Sequence, residues 1–265
     1  MTKAQAVIAA VLVTLSVSLG FRQINPFTAL SATQNLSVKA DSVVPKPEWV
    51  ALYDSLDLKN QGLSEKAFFY AWYGFQKMKS TNQVLAIADF SQSSRNKRLY
   101  VIDLLKKKML LNTYVAHGRN SGQEFAERFS NDNSSFQSSL GFYKTLGTYQ
   151  GKHGLSLRLE GLEKGINDRA LQRAIVMHGA DYVSEAFIKN TGRLGRSLGC
   201  PAVSIADSRK LISLMCNGAG LFIFSKDQRY EKASSMLAGL SFDHEAKLAA
   251  APQASGEPLL YTSGK

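Results

Sequence analysis

At residue 84 the apolar repeat along this chain shortens from three and four residues to two, and no other feature constrains the fold as much. Before that point, "SEKAFFYAWYGFQKMK" (64–79) carries Ala67, Phe68, Ala71, Trp72, Phe75 and Met78 at helical steps behind Ser64, an N-cap residue. The stripe predicts one helix that packs by its apolar face against whatever follows. After it come short runs rich in β-branched and aromatic residues: "QVLAIADFS", "KRLYVIDLL", "KMLLNTYVAHG", "SLRLEGL", "AIVMHGA" and "GLFIFS". They are separated by stretches rich in Ser, Gly and Asn, such as 128–154, that read as long loops. "SIADSRKLISLMCNGAG" (204–220) reads as a helix, with Ser204 as N-cap, Asp207 at the third helical position and glycines beyond its end. The expectation is a mainly β domain with a few short helices, preceded by a helical N-terminal segment.

Four segments follow from this reading. Lys3 precedes an uncharged apolar run, 6–21, so residues 1–32 read as a signal peptide or an N-terminal anchor. Residues 33–83 combine a linker, including "VVPKPEW", with the amphipathic helix; 84–229 form the β-rich domain. Residues 230–265, rich in Ala, Ser, Gly and Pro, read as a flexible tail. The expected location is outside the cytoplasm, in a periplasm or cell envelope. With 265 residues, 45% of them apolar, the chain can bury one substantial core. Its net charge of +11 favours anionic partners, an acidic wall polymer or a membrane surface. No nucleic-acid-binding motif accompanies that charge, so nucleic acid is not an expected partner. Membrane anchoring through the N-terminal segment stays open.

The chemistry concentrates in "MHGADYVSEAFIKNTGRLGRSLGCPAV" (177–203). A cysteine attacks as thiolate, and so needs a base or nearby positive charge, together with donors for the oxyanion it creates. His178 ends an apolar β-like run that would hold its imidazole on a rigid edge. Gly199 permits a tight turn that aims the amides near Cys200 at a substrate oxygen, and Arg193 and Arg196 add positive charge. The group that orients His178 could be a backbone carbonyl, Ser197 or Asp181. His117 and Ser121 read as lining the cleft, with a surface or capping role for the histidine an equal alternative. The bland reading of the stretch is a small buried cysteine beside a structural histidine. Two others are a wall-binding protein without catalysis and a zinc site built on the His-Gly pairs at 117, 153 and 178, none of which has close ligand spacing. A disulfide between Cys200 and Cys216 would need Cα atoms within about 7 Å. A helix rising ~1.5 Å per residue carries Cys216 away, so both thiols are expected free.

The order of the pair excludes a papain-like arrangement, where the cysteine precedes the histidine. Histidine-glycine first, then "SLGC", resembles the L,D-transpeptidase catalytic domain, whose signature is HG followed after a loop by S/T-x-G-C. "IADFSQSSRNKRLYVIDL", "VAHGRNSG", "SSLGFYKT" and "YQGKHGLSLRLEGLEKGIND" extend the resemblance over roughly residues 84 to 229. Many members carry a histidine where this chain has Leu198, and Arg or Asn where it has Ala202. The resemblance implies a sandwich of mixed strands with a helix after the cysteine, acting on peptidoglycan stem peptides with neither metal nor cofactor. Carried over, Cys200 is the nucleophile and His178 the base, with the amides of Gly199 and Cys200 as the oxyanion hole. Gly179, Arg193, Arg196 and Ser197, with His117 and Ser121, are the candidate substrate contacts. The implied reaction forms a Cys200 thioester, releases the terminal D-alanine of a tetrapeptide stem, and passes the acyl group to an amine or to water.

Overall fold

Ser64 does what its sequence position requires: its hydroxyl accepts the Ala67 amide at 3.2 Å, a cap of the kind worth about 1 kcal/mol. The computed structural model in which this is seen describes residues 46–250. The readings of 1–32 as a leader or anchor, of the linker up to 45 and of the tail from 251 lie outside the described residues. Two helices open the described chain, α1 (Glu48–Ser55) and α2 (Glu65–Met78). Ala67, Phe68, Ala71, Trp72 and Phe75 of the anticipated stripe are buried, and Phe69 and Tyr70 join them. Helix α2 is therefore embedded on more than one side, part of the core rather than an appendage to it.

Eight strands follow: β1 (Val84–Asp89), β2 (Leu99–Asp103), β3 (Lys108–Thr113), β4 (Gly141–Gly151), β5 (Gly154–Gly161), β6 (Val176–Ala180), β7 (Ala202–Ser204) and β8 (Gly220–Phe224). They form one continuous mixed sheet in the order β3-β2-β1-β8-β4-β5-β6-β7. Pairing is antiparallel except at β1–β8 and β6–β7. The expected two-sheet sandwich gives way to a single curled sheet. Ala116, just past β3, donates its amide to Ala202 of β7 at 2.8 Å, so the two ends of the strand order meet. Curling of this kind covers sheet edges that would otherwise offer unpaired backbone groups. β1, β2 and β8 are buried at every position, as their nearly continuous apolar sequences require. Helix α2 packs on β1 and β8; the helix α4 (Ile205–Met215), capped by Ser204 on the Asp207 amide, packs against β6 and β1. Cys216 sits at the C-cap of α4, and both it and Cys200 are free thiols. A further helix, α3 (Glu185–Thr191), lies between β6 and β7.

Two expected loops are structured. Residues 141–151, read as loop, are the longest strand: Phe142, Tyr143, Thr145 and Tyr149 have strong β preference, while Gly141, Gly147 and Gly151 mask it in sequence. The expected flexible tail is folded over residues 230–247. Helix α5 (Gln228–Ala233) buries Tyr230, whose hydroxyl donates to Glu163 at 3.2 Å, and Ser234 donates to the same carboxylate. Leu237 is buried, and in α6 (Phe242–Ala250) the Phe242 ring lies 5.5 Å from Phe69 and 6.4 Å from Trp49. Single aromatic anchors hold a segment whose composition looks disordered.

His117 and Ser121, expected to line the cleft, are fully buried. Arg98, also fully buried, donates to the Val115 carbonyl at 3.0 and 3.1 Å, to the Gln92 carbonyl at 2.7 Å and to His117 Nδ1 at 2.8 Å. A guanidinium only donates, so Nδ1 accepts, and the proton on Nε2 points to the Gly122 carbonyl at 3.4 Å. Ser121 Oγ accepts the Ser138 amide at 2.9 Å. Burial first, then the Arg98 charge, pushes His117 down to about 3, so it stays neutral. Unfolded histidine titrates near 6.5. Between those values the unfolded chain holds a proton that the folded chain lacks, so stability is present above pH ~6.5 and falls as pH drops towards 3, by up to about 1.4 kcal/mol per pH unit. His117→Gln is expected to lower stability at pH 7 yet lose less between pH 7 and pH 5 than the wild type, in denaturant unfolding at each pH. Parallel losses would remove this role from His117.

Candidate active site

The apolar run of β6 lays His178 between β5 and β7, opposite Ser156 on one side and Ala202 on the other. Its imidazole is buried, and Nδ1 lies 2.9 Å from the Gly179 carbonyl. A carbonyl only accepts, so Nδ1 carries the proton and Nε2 is left as a base. Of the three groups considered as its orienter, the backbone carbonyl is the one in contact. Ser197 Oγ instead donates to the Cys200 carbonyl at 2.6 Å, and Asp181 accepts the Tyr182 amide at 2.8 Å.

Cys200 stands two residues before Ala202. The turn that presents it is fastened on both sides. Ser197 exchanges backbone hydrogen bonds with the His117 strap, its amide to the His117 carbonyl at 2.9 Å and its carbonyl from the Arg119 amide at 2.8 Å. Ser138 Oγ reaches the Gly199 carbonyl at 3.3 Å. Gly199 has φ +124°, and a Cβ there would lie 2.9 Å from the Gln137 carbonyl oxygen, so both backbone shape and space call for glycine. The thiol receives the Val176 amide at 3.5 Å and points its own hydrogen at the Ala174 carbonyl at 3.8 Å. Ala174 itself adopts φ +53°, uncommon for a residue with a Cβ, directly beneath the sulfur.

His178 and Cys200 line the same cleft of about 370 Å³, together with Arg173, Tyr182, Arg196 and Ser197. Burial pushes the Cys200 thiol up, only partly offset by the Val176 amide and then by the Arg173 and Lys152 charges. Burial likewise pushes His178 down; the Gly179 carbonyl opposes this, and the His153 and Lys152 charges add to it. Both shifts favour the uncharged forms, a thiol and a neutral imidazole, over an ion pair.

The structure redistributes the other expected contacts. The Gly199 amide is already committed to Ser197 Oγ at 3.1 Å, whereas the Cys200 amide makes no hydrogen bond to another of the described residues. Arg193 is turned away, onto the Leu194 carbonyl at 2.7 Å. Arg196 reaches the cleft but spends Nη1 on the Arg119 and Gly122 carbonyls at 3.0 and 3.1 Å. Gly179 lines a neighbouring hollow, where a Cβ would meet Ser208 Oγ of α4 at 2.9 Å. Ala202, in place of the polar residue common in the resembling family, is fully buried, and Leu198 stands exposed at the rim. The cation nearest in effect to the thiol is Arg173, which sequence reasoning missed. It donates to the Ser130 and Gln137 carbonyls at 2.8 and 2.7 Å and to Ser139 and Ser135 hydroxyls at 2.5 and 3.2 Å. Its place directly before the "AIVMHG" strand was the available signal. Lys152 and His153, at the tip joining β4 and β5, were hidden with that hairpin.

The sequence model of the L,D-transpeptidase catalytic domain matches residues 59–224. Among solved structures, an L,D-transpeptidase from Mycobacterium smegmatis is similar at 13% identity and TM-score 0.33, over 54% of this chain and 59% of that one. An L,D-transpeptidase from Stackebrandtia nassauensis is similar at 16% identity and TM-score 0.33, over 62% and 68%. The helical cell shape determining protein of Campylobacter jejuni is similar at 12% identity and TM-score 0.35, over 62% and 59%. The match thus spans 59% of the length of the M. smegmatis and C. jejuni chains. No curated protein matches the chain. The matched segment holds all eight strands with His178 and Cys200, and by that match the chain belongs to the L,D-transpeptidase catalytic domain family.

Proposed function

We propose that the protein is a cysteine L,D-transpeptidase that acts on tetrapeptide stems of peptidoglycan in the cell envelope, with residues 1–32 directing export or anchoring it there. The observation that carries this reading is the shared cleft of Cys200 and His178, with the imidazole tautomer fixed by the Gly179 carbonyl. As Sγ attacks the carbonyl carbon of the residue before the terminal D-alanine, its proton passes to His178 Nε2. The carbonyl oxygen becomes an oxyanion and takes the Cys200 amide. Collapse breaks the C–N bond, and the imidazolium returns the proton to the departing amine of D-alanine, leaving a thioester on Cys200. An amine of a neighbouring stem then attacks that thioester and gives its proton to His178. Collapse forms the new amide and expels the thiolate, which is reprotonated from His178. Water in place of the amine makes the reaction a carboxypeptidation. The resting pair is neutral, so the proton moves during attack and not before it.

Mass spectrometry of disaccharide-tetrapeptide incubated with enzyme tests the roles. Cys200→Ala is expected to release no D-alanine, Cys216→Ala to release it at the wild-type rate, and His178→Ala to lose about 10²–10⁴-fold. Equal activity in Cys200→Ala and wild type would end this reading.

The shifts also predict the pH behaviour. Because His178 is pushed down, kcat/KM should hold through neutral pH and fall only below the ordinary histidine value of about 6.5. Because Cys200 is pushed up, its alkylation rate should keep rising with pH above the ordinary thiol value of about 8.5. In Arg173→Gln, which removes a charge favouring the thiolate, that rise should move to still higher pH. An unmoved alkylation profile in a folded variant would show that Arg173 does not act on the sulfur.

A further inference from the structure

The imidazoles of His153 and His178 stack, with ring centroids 4.3 Å apart and planes 20° from parallel. The pairing is built by strand register. β5 pairs with β6 at Ser156↔His178, and the β4–β5 hairpin closes beyond that point at Gly151↔Gly154. The tip carrying Lys152 and His153 therefore overhangs the edge of β6, and His153 lines the Cys200 cleft from above. No step of the reaction as written uses it.

We propose that His153 is a positioning residue for His178, fixing the plane and the proton affinity of the general base; the proposal rests on reading His178 as that base. With Cβ held by β6, the Gly179 carbonyl fixes one nitrogen of the ring but leaves the plane the rocking that a single hydrogen bond tolerates. A second ring packed face to face removes that freedom, so that Nε2 keeps one direction in the cleft. Stacked aromatic rings hold each other beyond what burial alone contributes. Positive charge on the His153 ring also disfavours a proton on His178. Other charged or titratable groups facing His178 are Tyr149 and Lys152 from the hairpin, Arg173 before β6, Tyr182 after it, and Arg196 and Cys200 from the nucleophile turn. Asp181 is turned to the Tyr182 amide, and behind the strand α4 presents Ser208 and Arg209 to the neighbouring hollow. Of these, His153 is the group whose ring lies against the face of the His178 imidazole.

The full-length protein with His153→Ala and His153→Phe separates this role from a merely structural one. Two readouts are compared with wild type: the pH profile of D-alanine release from disaccharide-tetrapeptide, and the NMR titration of the His178 imidazole, one of four histidines in the chain. In His153→Ala the His178 ring loses both cover and a like charge, so it should titrate at higher pH, with the acid limb of activity following. The kcat should fall by about 10- to 100-fold through loss of orientation. His153→Phe keeps the stack without the charge and should recover most of kcat, while His178 still titrates above its wild-type value. A structural role for the hairpin would lower kcat in both variants and leave the titration of His178 unmoved, which overturns the proposal. So would wild-type values of both readouts in His153→Ala. If wild type releases no D-alanine, the transpeptidase reading fails by itself, and the titration still decides whether His153 sets the proton affinity of His178.

Discussion

The parallel pairing of β6 with β7 is the constraint on which the site depends. It joins two strands of five and three residues, yet it sets His178 opposite Ala202 and so brings Cys200 to the end of the same sheet. A parallel pair needs a crossover, and the chain from Gly179 to Pro201 supplies it through α3 and the glycine- and arginine-rich turn. What sequence displays as a separated HG and SLGC is, in space, the two ends of one crossover. The demand for space is tight. Ala202 is fully buried in a small cluster with Ala116, Ala180, Val183 and Leu194, so a long polar side chain at 202 would have to displace part of that cluster.

Burial acts on two histidines in this fold with the same sign and different consequences. His117 and His178 are both pushed down by desolvation. Their tautomers are opposite because their partners are: a guanidinium donor forces His117 to accept at Nδ1, whereas a carbonyl forces His178 to donate there. The first arrangement turns an imidazole into a neutral bridge between Arg98 and the Gly122 loop. The second leaves Nε2 open in a cleft. The His117 bridge still serves the site, since the backbone on either side of it grips Ser197, whose hydroxyl organises the Cys200 turn. Three His-Gly pairs that look alike in sequence thus hold a strut, a stacking partner and an imidazole that shares a cleft with Cys200.

Legibility followed the same division. Strands β1, β2, β3, β5, β6 and β8 and the caps of α2 and α4 were readable because local propensity and burial agree there. Strand β4 was not, because its glycines, one of them in the irregularity between Thr145 and Thr148, look like loop while its partners on β5 and β8 lie far along the chain. The segment from 230 was misread because its order comes from Tyr230, Ser234 and Phe242 meeting Glu163, Trp49 and Phe69, contacts with no local signature. That Cys200 and His178 would share a cleft was legible from their spacing and flanking glycines. Arg173 was not, since its four hydrogen bonds to the 130–139 loop exist only once that loop folds across it. His117 misled because the residue that defines it, Arg98, is an arginine just before β2, normally read as facing solvent.

The unread hairpin and the site are linked by the same geometry. β4 pairs with β8 only over Gly141–Lys144, while its pairing with β5 continues to Gly151. The distal half of the hairpin therefore leaves the body of the sheet and is supported on β6 alone, through Ser156–Arg158. The register shift between Thr145 and Thr148 falls where that support changes. Such irregularities raise local twist and bend the bulged strand, which turns the overhanging tip across the edge of the sheet and over His178. A straight, regular β4 would carry Lys152 and His153 past the cleft instead of onto it. The feature that hid this strand from a sequence reading, its interrupted β pattern around Gly147, is the one that aims its tip at His178.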